Sequence, residues 1–309
     1  MSKLVIFGAT GQQGHAIIST ILSHPLLSKK YSLRGITRSP SSPKAQSLAS
    51  RGVEIVEADI NEPSTLPAAM VDAKTVILIT ETQYETDLKE REFAQAKAVA
   101  GEALAAGVEY FIFSTAVHCK TLWEKGPVDQ FDAKAEIEIY LRNLPFKTAY
   151  IAPGMFMQNL VTVMKPRKGD DGVFTIVGIN NPETKIPMIE AAADTGSYLL
   201  PLLKDPGEMD GQTMYAASGF YSFNEMARIM GKAAGETVRY VQIPGDVYAG
   251  FMKETQGKRM VAMMSFFDEP GYYGPGSEEK VEGTLGLIEK EGGKLTRFEE
   301  FAEKYCTSL

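Results

Sequence analysis

The sequence predicts an α/β protein. Its main part is a Rossmann-type, doubly wound parallel sheet, and a smaller mixed α/β C-terminal domain follows. Three observations carry this. Short apolar runs alternate with helical patterns through the first half of the chain. Most of those runs lack an in–out alternation, as strands buried on both faces do. The first run, moreover, ends in a glycine cluster that opens a helix, "KLVIFGATGQQG" at 3–14.

The strand-like runs are 3–7 (KLVIF), 31–37 (YSLRGIT), 53–57 (VEIVE), 74–80 (KTVILIT), 109–114 (EYFIFS) and 146–151 (FKTAYI). They are rich in Val, Ile, Phe and Tyr, which suit a pleated surface. Helical patterns fall near 13–23, 43–51, 63–71, 85–106 and 131–143. Such alternation implies a parallel sheet with helices on both faces, and right-handed crossovers make it doubly wound. Past Pro153 the loops lengthen, as in "KPRKGDDGVF" and "LKDPGEMDGQ". The chain therefore divides into a first domain, 1–153, and a smaller one, 154–309, with the run "GQTMYAAS" at 211–218 expected to rejoin the first sheet. Residues 222–234 read as a helix capped by Ser222, with Phe223, Met226, Ala227 and Met230 on one face. Two further helices, 282–291 and 296–305, are separated by "GG". The run "MVAMMSFF" at 260–267 reads as an apolar helix face or as the wall of a greasy pocket.

At 309 residues the chain can bury a large core. A net charge of −7 with no basic block excludes a chain-wide nucleic-acid surface. Cys119 and Cys306 stand in neither a CxxC nor a metal-type spacing, so two reduced thiols and no metal site are expected. The N-terminus runs straight into a strand, and no apolar run reaches transmembrane length. The expectation is a cytoplasmic or nucleocytoplasmic protein with no membrane partner.

The glycine spacing is Gly8-x-x-Gly11-x-x-Gly14, directly after one strand and opening a helix. Gly8 lets the chain turn as it leaves the strand. Gly11 keeps side chains away so that backbone N–H groups can approach a pyrophosphate. Gly14 lets the helix pack close to the sheet, and the helix N-terminus favours the anion. This predicts dinucleotide binding. An NAD site usually carries Asp or Glu at the end of the second strand, to bond the ribose 2′-hydroxyl. Here that end reads Thr37, Arg38, Ser39 and later Lys44, with no carboxylate. Arg38 can stack on adenine and pair with a 2′-phosphate, so NADP(H) is preferred over NAD(H). Asp59, with Ile60 beside it, follows the third strand and meets the adenine edge. Thr80 ends the fourth strand, near the ribose and pyrophosphate.

Short-chain dehydrogenases move protons with a Tyr-x-x-x-Lys pair, in which the lysine bonds the nicotinamide ribose and lowers the tyrosine pKa. Here Lys134 is present, but position 130 is Gln130, and an amide has no proton to give at neutral pH. The chain keeps the ribose-binding half of the pair and lacks the proton-moving half. Reduction remains open where the proton comes from solvent, from Lys134 or from the substrate. Ser114, Thr115 and His118 lie nearby; His118 reads as a loop histidine.

These residues resemble the NmrA-like family of atypical short-chain dehydrogenases, its fungal reductase and regulator type. The matching stretches are "VIFGATGQQG" (5–14), "ITRSP" (36–40), "EADI" (57–60), "FDAKAEIEIYLR" (131–142), "IAPGMFMQN" (151–159) and "GYYGP" (271–275). The resemblance implies an NADP-binding domain and a C-terminal domain that closes over the nicotinamide. It places Gly8, Thr10, Gly11, Gln12, Gln13 and Gly14 in the phosphate loop, Arg38 on the 2′-phosphate and Lys134 on the ribose. It sets Gly154, Phe156 and Asn159 beside the nicotinamide. Where some members carry a lysine in the helix after the fourth strand, this chain has Ala94; where members often have His, it has Gln130. Two roles follow. One is an NADPH-dependent oxidoreductase that reduces a small apolar acceptor, an activated C=C, C=N or carbonyl, with Lys134 as its candidate catalytic residue. The other is a non-catalytic NADP(H) redox sensor that acts through a regulatory protein partner.

Overall fold

The chain starts on its central strand. Apolar residues at 4–7 fill the middle of the sheet because both faces there are covered; Leu4, Val5 and Ile6 are wholly buried. The structure is a computed structural model that describes residues 1–309. In chain order its first half runs β1 (Ser2–Phe7), α1 (Gln12–Ser23), α2 (Leu27–Lys30), β2 (Tyr31–Thr37), α3 (Pro43–Ala49), β3 (Glu54–Glu57), α4 (Leu66–Met70), β4 (Ala73–Leu78), α5 (Leu88–Ala105), β5 (Tyr110–Ser114), α6 (Cys119–Leu122), α7 (Asp129–Arg142) and β6 (Lys147–Pro153). The second half runs β7 (Met155–Phe156), β8 (Arg167–Lys168), β9 (Phe174–Gly178), β10 (Lys185–Ile189), α8 (Ala191–Lys204), β11 (Thr213–Ala216), β12 (Gly219–Ser222), α9 (Phe223–Ala234), β13 (Val238–Gln242), α10 (Gly245–Ala249), α11 (Glu254–Asp268), α12 (Ser277–Lys290) and α13 (Phe298–Tyr305).

Seven parallel strands form the main sheet in the order β11-β6-β5-β4-β1-β2-β3. The chain winds outward from β1 to β3, then crosses back to β4 on the other side of β1. That reversal opens a crevice above the carboxyl ends of β1 and β4, where ligands of such sheets bind. Helices α1 and α8 cover one face, through Ile17, Ile18, Ile21, Tyr198, Leu199 and Leu202. Helices α4, α5 and α7 cover the other, through Leu66, Val99, Ala103, Ile137 and Leu141. A third core lies in the C-terminal lobe, around two three-stranded sheets, β12-β10-β7 and β13-β9-β8.

The break in sequence character at residue 153 is not a break in space. β11 pairs with β6, Thr213 opposite Tyr150, and closes the main sheet's edge. Helix α8 lies against α1 so closely that a Cβ at Gly196 would stand 2.1 Å from Thr20 Oγ1. Helix α9 begins with a reciprocal capping box: Ser222 Oγ accepts from Glu225 N–H and Glu225 accepts from Ser222 N–H. In the "MVAMMSFF" run, Met264, Phe266 and Phe267 are buried, while Met260, Val261 and Met263 are half-buried on α11. No helix is long and apolar enough to cross a membrane. Both cysteines are free and buried.

Candidate functional site: the crevice above the parallel sheet

The glycine turn is built as a cradle. Gly8 has φ +80°, a conformation side chains rarely adopt, and it turns the chain out of β1. A Cβ at Gly14 would stand 2.2 Å from Gly8 O, so no larger residue fits there. Gly11 caps α1 with extended backbone, and its N–H bonds Gly8 O at 3.0 Å. The first helical bond is His15 N–H to Gly11 O, and no side chain caps the helix. The N–H groups of Gln12, Gln13 and Gly14 therefore point out of the helix without a protein acceptor. This is the donor set a pyrophosphate needs, and no acid stands in the first turn to oppose it. Thr10 is half-buried and the Gln12 side chain is exposed. The Gln13 side chain turns inward instead, donating to Ser114 Oγ at 3.2 Å.

The other expected residues sit on the same edge of the sheet. Thr37, at the end of β2, accepts from Ser39 N–H through Oγ1 at 3.1 Å, which shapes the turn carrying Arg38. Arg38 is free to reach a ligand, its side chain 61% exposed. Its nearest charged partner is Glu81, at 3.9 Å, a carboxylate delivered by the segment after β4. The end of β2 itself carries no acid, yet the fold brings one beside it. Asp59 is partly engaged: its Oδ1 accepts from the backbone and side-chain N–H groups of Asn61, both at 2.9 Å. Ile60 packs against the core beneath α4 and α5.

Lys134 points from α7 toward the end of β4, where its ammonium meets Thr80 Oγ1 at 2.9 Å and Thr80 O at 3.4 Å. Its third partner is the carboxylate of Glu92, on α5. Glu92 is 2% exposed and also accepts from the Thr80 hydroxyl and, at 3.4 Å, from Thr82 Oγ1. All three ammonium hydrogens of Lys134 thus have partners within the chain. The buried carboxylate fixes the ammonium at the end of β4. Glu92 had a legible signal: it interrupts the buried stripe of α5, Leu88, Gln95, Ala96, Val99 and Ala103, at helical spacing.

Gln130 is locked as well. Its side-chain N–H donates to Arg259 O at 3.2 Å, and it is 4% exposed. Arg259, on α11, reaches across the crevice in turn. Its Nε bonds Asp129 Oδ2 at 3.1 Å, Nη2 bonds Thr86 O at 3.2 Å and Nη1 bonds Glu85 O. One guanidinium of the C-terminal lobe thus ties the start of α7 to the segment between β4 and α5.

Beyond β6, Gly154 serves close packing. A Cβ there would lie 2.5 Å from Pro187 O, on β10. Phe156 is half-buried against the core that includes Ile189, its register partner on β10. The backbone carbonyl of Asn159 accepts from Met164 N–H at 2.8 Å. A cavity of about 230 Å³ opens beside α7, lined by Thr115, His118, Glu138, Ile139, Tyr215 and Lys280 among others.

The model of the NmrA-like family matches residues 1–302. The chain belongs to the NmrA-like family. An NmrA-like family domain-containing oxidoreductase, ptmS, of Penicillium ochrochloron is 29% identical over 255 residues, covering 77% of this chain and 75% of that one. The NmrA negative transcriptional regulator solved in complex with NADP is similar in fold, with a TM-score of 0.79 at 18% identity over 98% of this chain and 94% of that one. The NADPH-dependent quinone oxidoreductase QOR2 of Escherichia coli, solved with NADPH, has a TM-score of 0.74 at 21% identity over 97% of this chain and 99% of that one.

Proposed function

We propose that this NmrA-like chain is an NADPH-dependent oxidoreductase that reduces a small apolar acceptor: an activated C=C, a C=N or a carbonyl. The observation that carries the reading is the alignment, along one sheet edge, of the open N–H groups of Gln12, Gln13 and Gly14 with exposed Arg38 and the fixed ammonium of Lys134. The residues present fit the dinucleotide. The cradle receives the pyrophosphate, Arg38 the 2′-phosphate, and Lys134 a ribose hydroxyl in place of its long bond to Thr80 O. NADPH, when bound, supplies the hydride. Family membership supports the chemistry, since relatives such as ptmS are oxidoreductases. Phe131 and Tyr272, in edge contact at 5.5 Å, offer an apolar wall beside Gln130. The test is NADPH oxidation by purified protein against quinones, enones, imines and ketones. Turnover with one class supports the reading; none with any class refutes it.

A second reading, a redox sensor that answers NADP(H) through a protein partner, is favoured by Gln130, which cannot donate a proton. It requires different affinities for NADP⁺ and NADPH, since equal binding shifts no equilibrium. It also requires that the cofactor's redox state change the partner's affinity; a pull-down indifferent to NADP⁺ or NADPH removes it.

A further inference from the structure

The reductase reading leaves one role unfilled, because Gln130 is an amide and Lys134 has all its hydrogens engaged. The segment joining β4 to α5 fills it. Residues 81–87, between β4 and α5, are pinned on both sides of Tyr84. On one side Thr82 Oγ1 donates to Glu92 at 3.4 Å, and Gln83 accepts from Arg91 at 2.5 Å. On the other, Arg259 holds the carbonyls of Glu85 and Thr86. These anchors bracket Tyr84 between Glu92 and Arg259. The ring is half-buried and its hydroxyl makes no hydrogen bond within the chain.

We infer that Tyr84, on the segment pinned by Arg259, is the proton donor of the reduction, taking the place of the tyrosine that position 130 lacks. The inference rests on the reductase reading. Tyr84 gives its O–H proton to the acceptor's oxygen, nitrogen or carbon as hydride arrives from NADPH at the neighbouring carbon. The acceptor's π bond is consumed, an O–H, N–H or C–H bond and a new C–H bond form, and NADP⁺ is left. The phenolate recovers its proton from water, which reaches the half-exposed ring. Burial, with the Glu92 charge second, holds the phenol above its ordinary value of 10, while Arg259 pulls the other way. The donor is therefore fully protonated at neutral pH, and the Arg259 cation offsets the phenolate charge that forms.

Wild type and Tyr84→Phe are compared in three measurements, with thermal melting to verify that the variant folds. In steady-state turnover, Y84F is expected to lose about a hundredfold or more in kcat, the range for a positioned acid. In fluorescence titration, its NADPH dissociation constant stays within about twofold of wild type. In ultraviolet titration of the phenolates, the difference between the proteins isolates Tyr84, and its midpoint falls when NADP⁺ is added, because the nicotinamide carries a positive charge. If wild type turns over and Y84F matches it, Tyr84 is not the donor and the reductase reading survives. A midpoint indifferent to NADP⁺ also overturns the assignment, since the phenol then lies away from the nicotinamide. If wild type reduces no acceptor, the reductase reading falls and takes this role with it.

Discussion

Lys134 on α7 and Glu92 on α5 form an ion pair in the floor of the crevice, their side chains 17% and 3% exposed. The lysine is the residue a nucleotide site needs, and the glutamate fixes its position. Removing one member of such a pair leaves an uncompensated charge, whereas replacing both by apolar groups does not. Glu92→Ala is expected to cost about 3–5 kcal/mol in denaturant unfolding, and the Glu92→Leu/Lys134→Met double variant to recover most of it. A double-mutant cycle that finds the two changes additive would show that the pair is not coupled.

At the adenine end, Arg38 and Glu81 should pull in opposite directions. Arg38→Ala is expected to weaken NADP binding by about 1–3 kcal/mol, as for loss of a charge-assisted contact, and to narrow the preference over NAD. Glu81→Ala removes an exposed carboxylate from beside a proposed phosphate site, and should tighten NADP by at most about 1 kcal/mol. Calorimetry with both dinucleotides reads the two effects. An unchanged NADP/NAD ratio in the Arg38 variant contradicts its assignment to the 2′-phosphate.

Two glycines of the cradle separate binding from folding. A methyl at Gly14 meets Gly8 O at 2.2 Å and Ala9 Cα at 2.8 Å, so Gly14→Ala should lower the melting temperature and abolish NADPH binding. A methyl at Gly11 has only Gly8 O, at 3.2 Å, as a neighbour. Gly11→Ala should melt close to wild type and bind NADPH more weakly, because its methyl stands where the pyrophosphate must approach. Melting curves and fluorescence titration together test the contrast.

Asp194 predicts a pH effect far from the crevice. Burial raises its carboxyl from the ordinary 3.8 to about 6, although Thr296 donates to it through both N–H, at 2.7 Å, and hydroxyl, at 3.1 Å. Glu190, close by, is raised too, again by burial first. Between pH 3.8 and about 6 the folded form binds the proton that the unfolded form has lost, so stability falls as pH rises through this window and then levels. The span corresponds to about 3 kcal/mol at most. Asp194→Asn should flatten that slope and be no less stable than wild type at pH 7. Urea unfolding at a series of pH values measures it; an unchanged slope in the variant contradicts the assignment.

The cradle and the strands were legible because they depend on near neighbours in sequence. Gly8, Gly11 and Gly14 fall within seven residues, and the buried runs from 4–7 and 110–114 declare themselves by composition. The capping box of α9 is likewise local. Arg259 was not legible: it lies 130 residues from Asp129 and acquires its role only through the docking of α11. Glu81 was not legible either: only the fold sets it beside Arg38. The aromatic and Met-rich tail shows the opposite limit. Phe266 and Phe267 could have lined a pocket by composition alone, yet both are core.

The pairing of β11 with β6 bears on how the protein comes into being. A nascent or truncated chain that stops after Pro153 has six strands of the sheet but leaves β6 as a bare border, with Ala149 and Ile151 uncovered by the α8 residues that bury them. An open apolar border of this kind recruits other chains. The nucleotide lobe is thus completed only after some sixty further residues have been added, and expressing it alone should yield aggregates instead of a free-standing module.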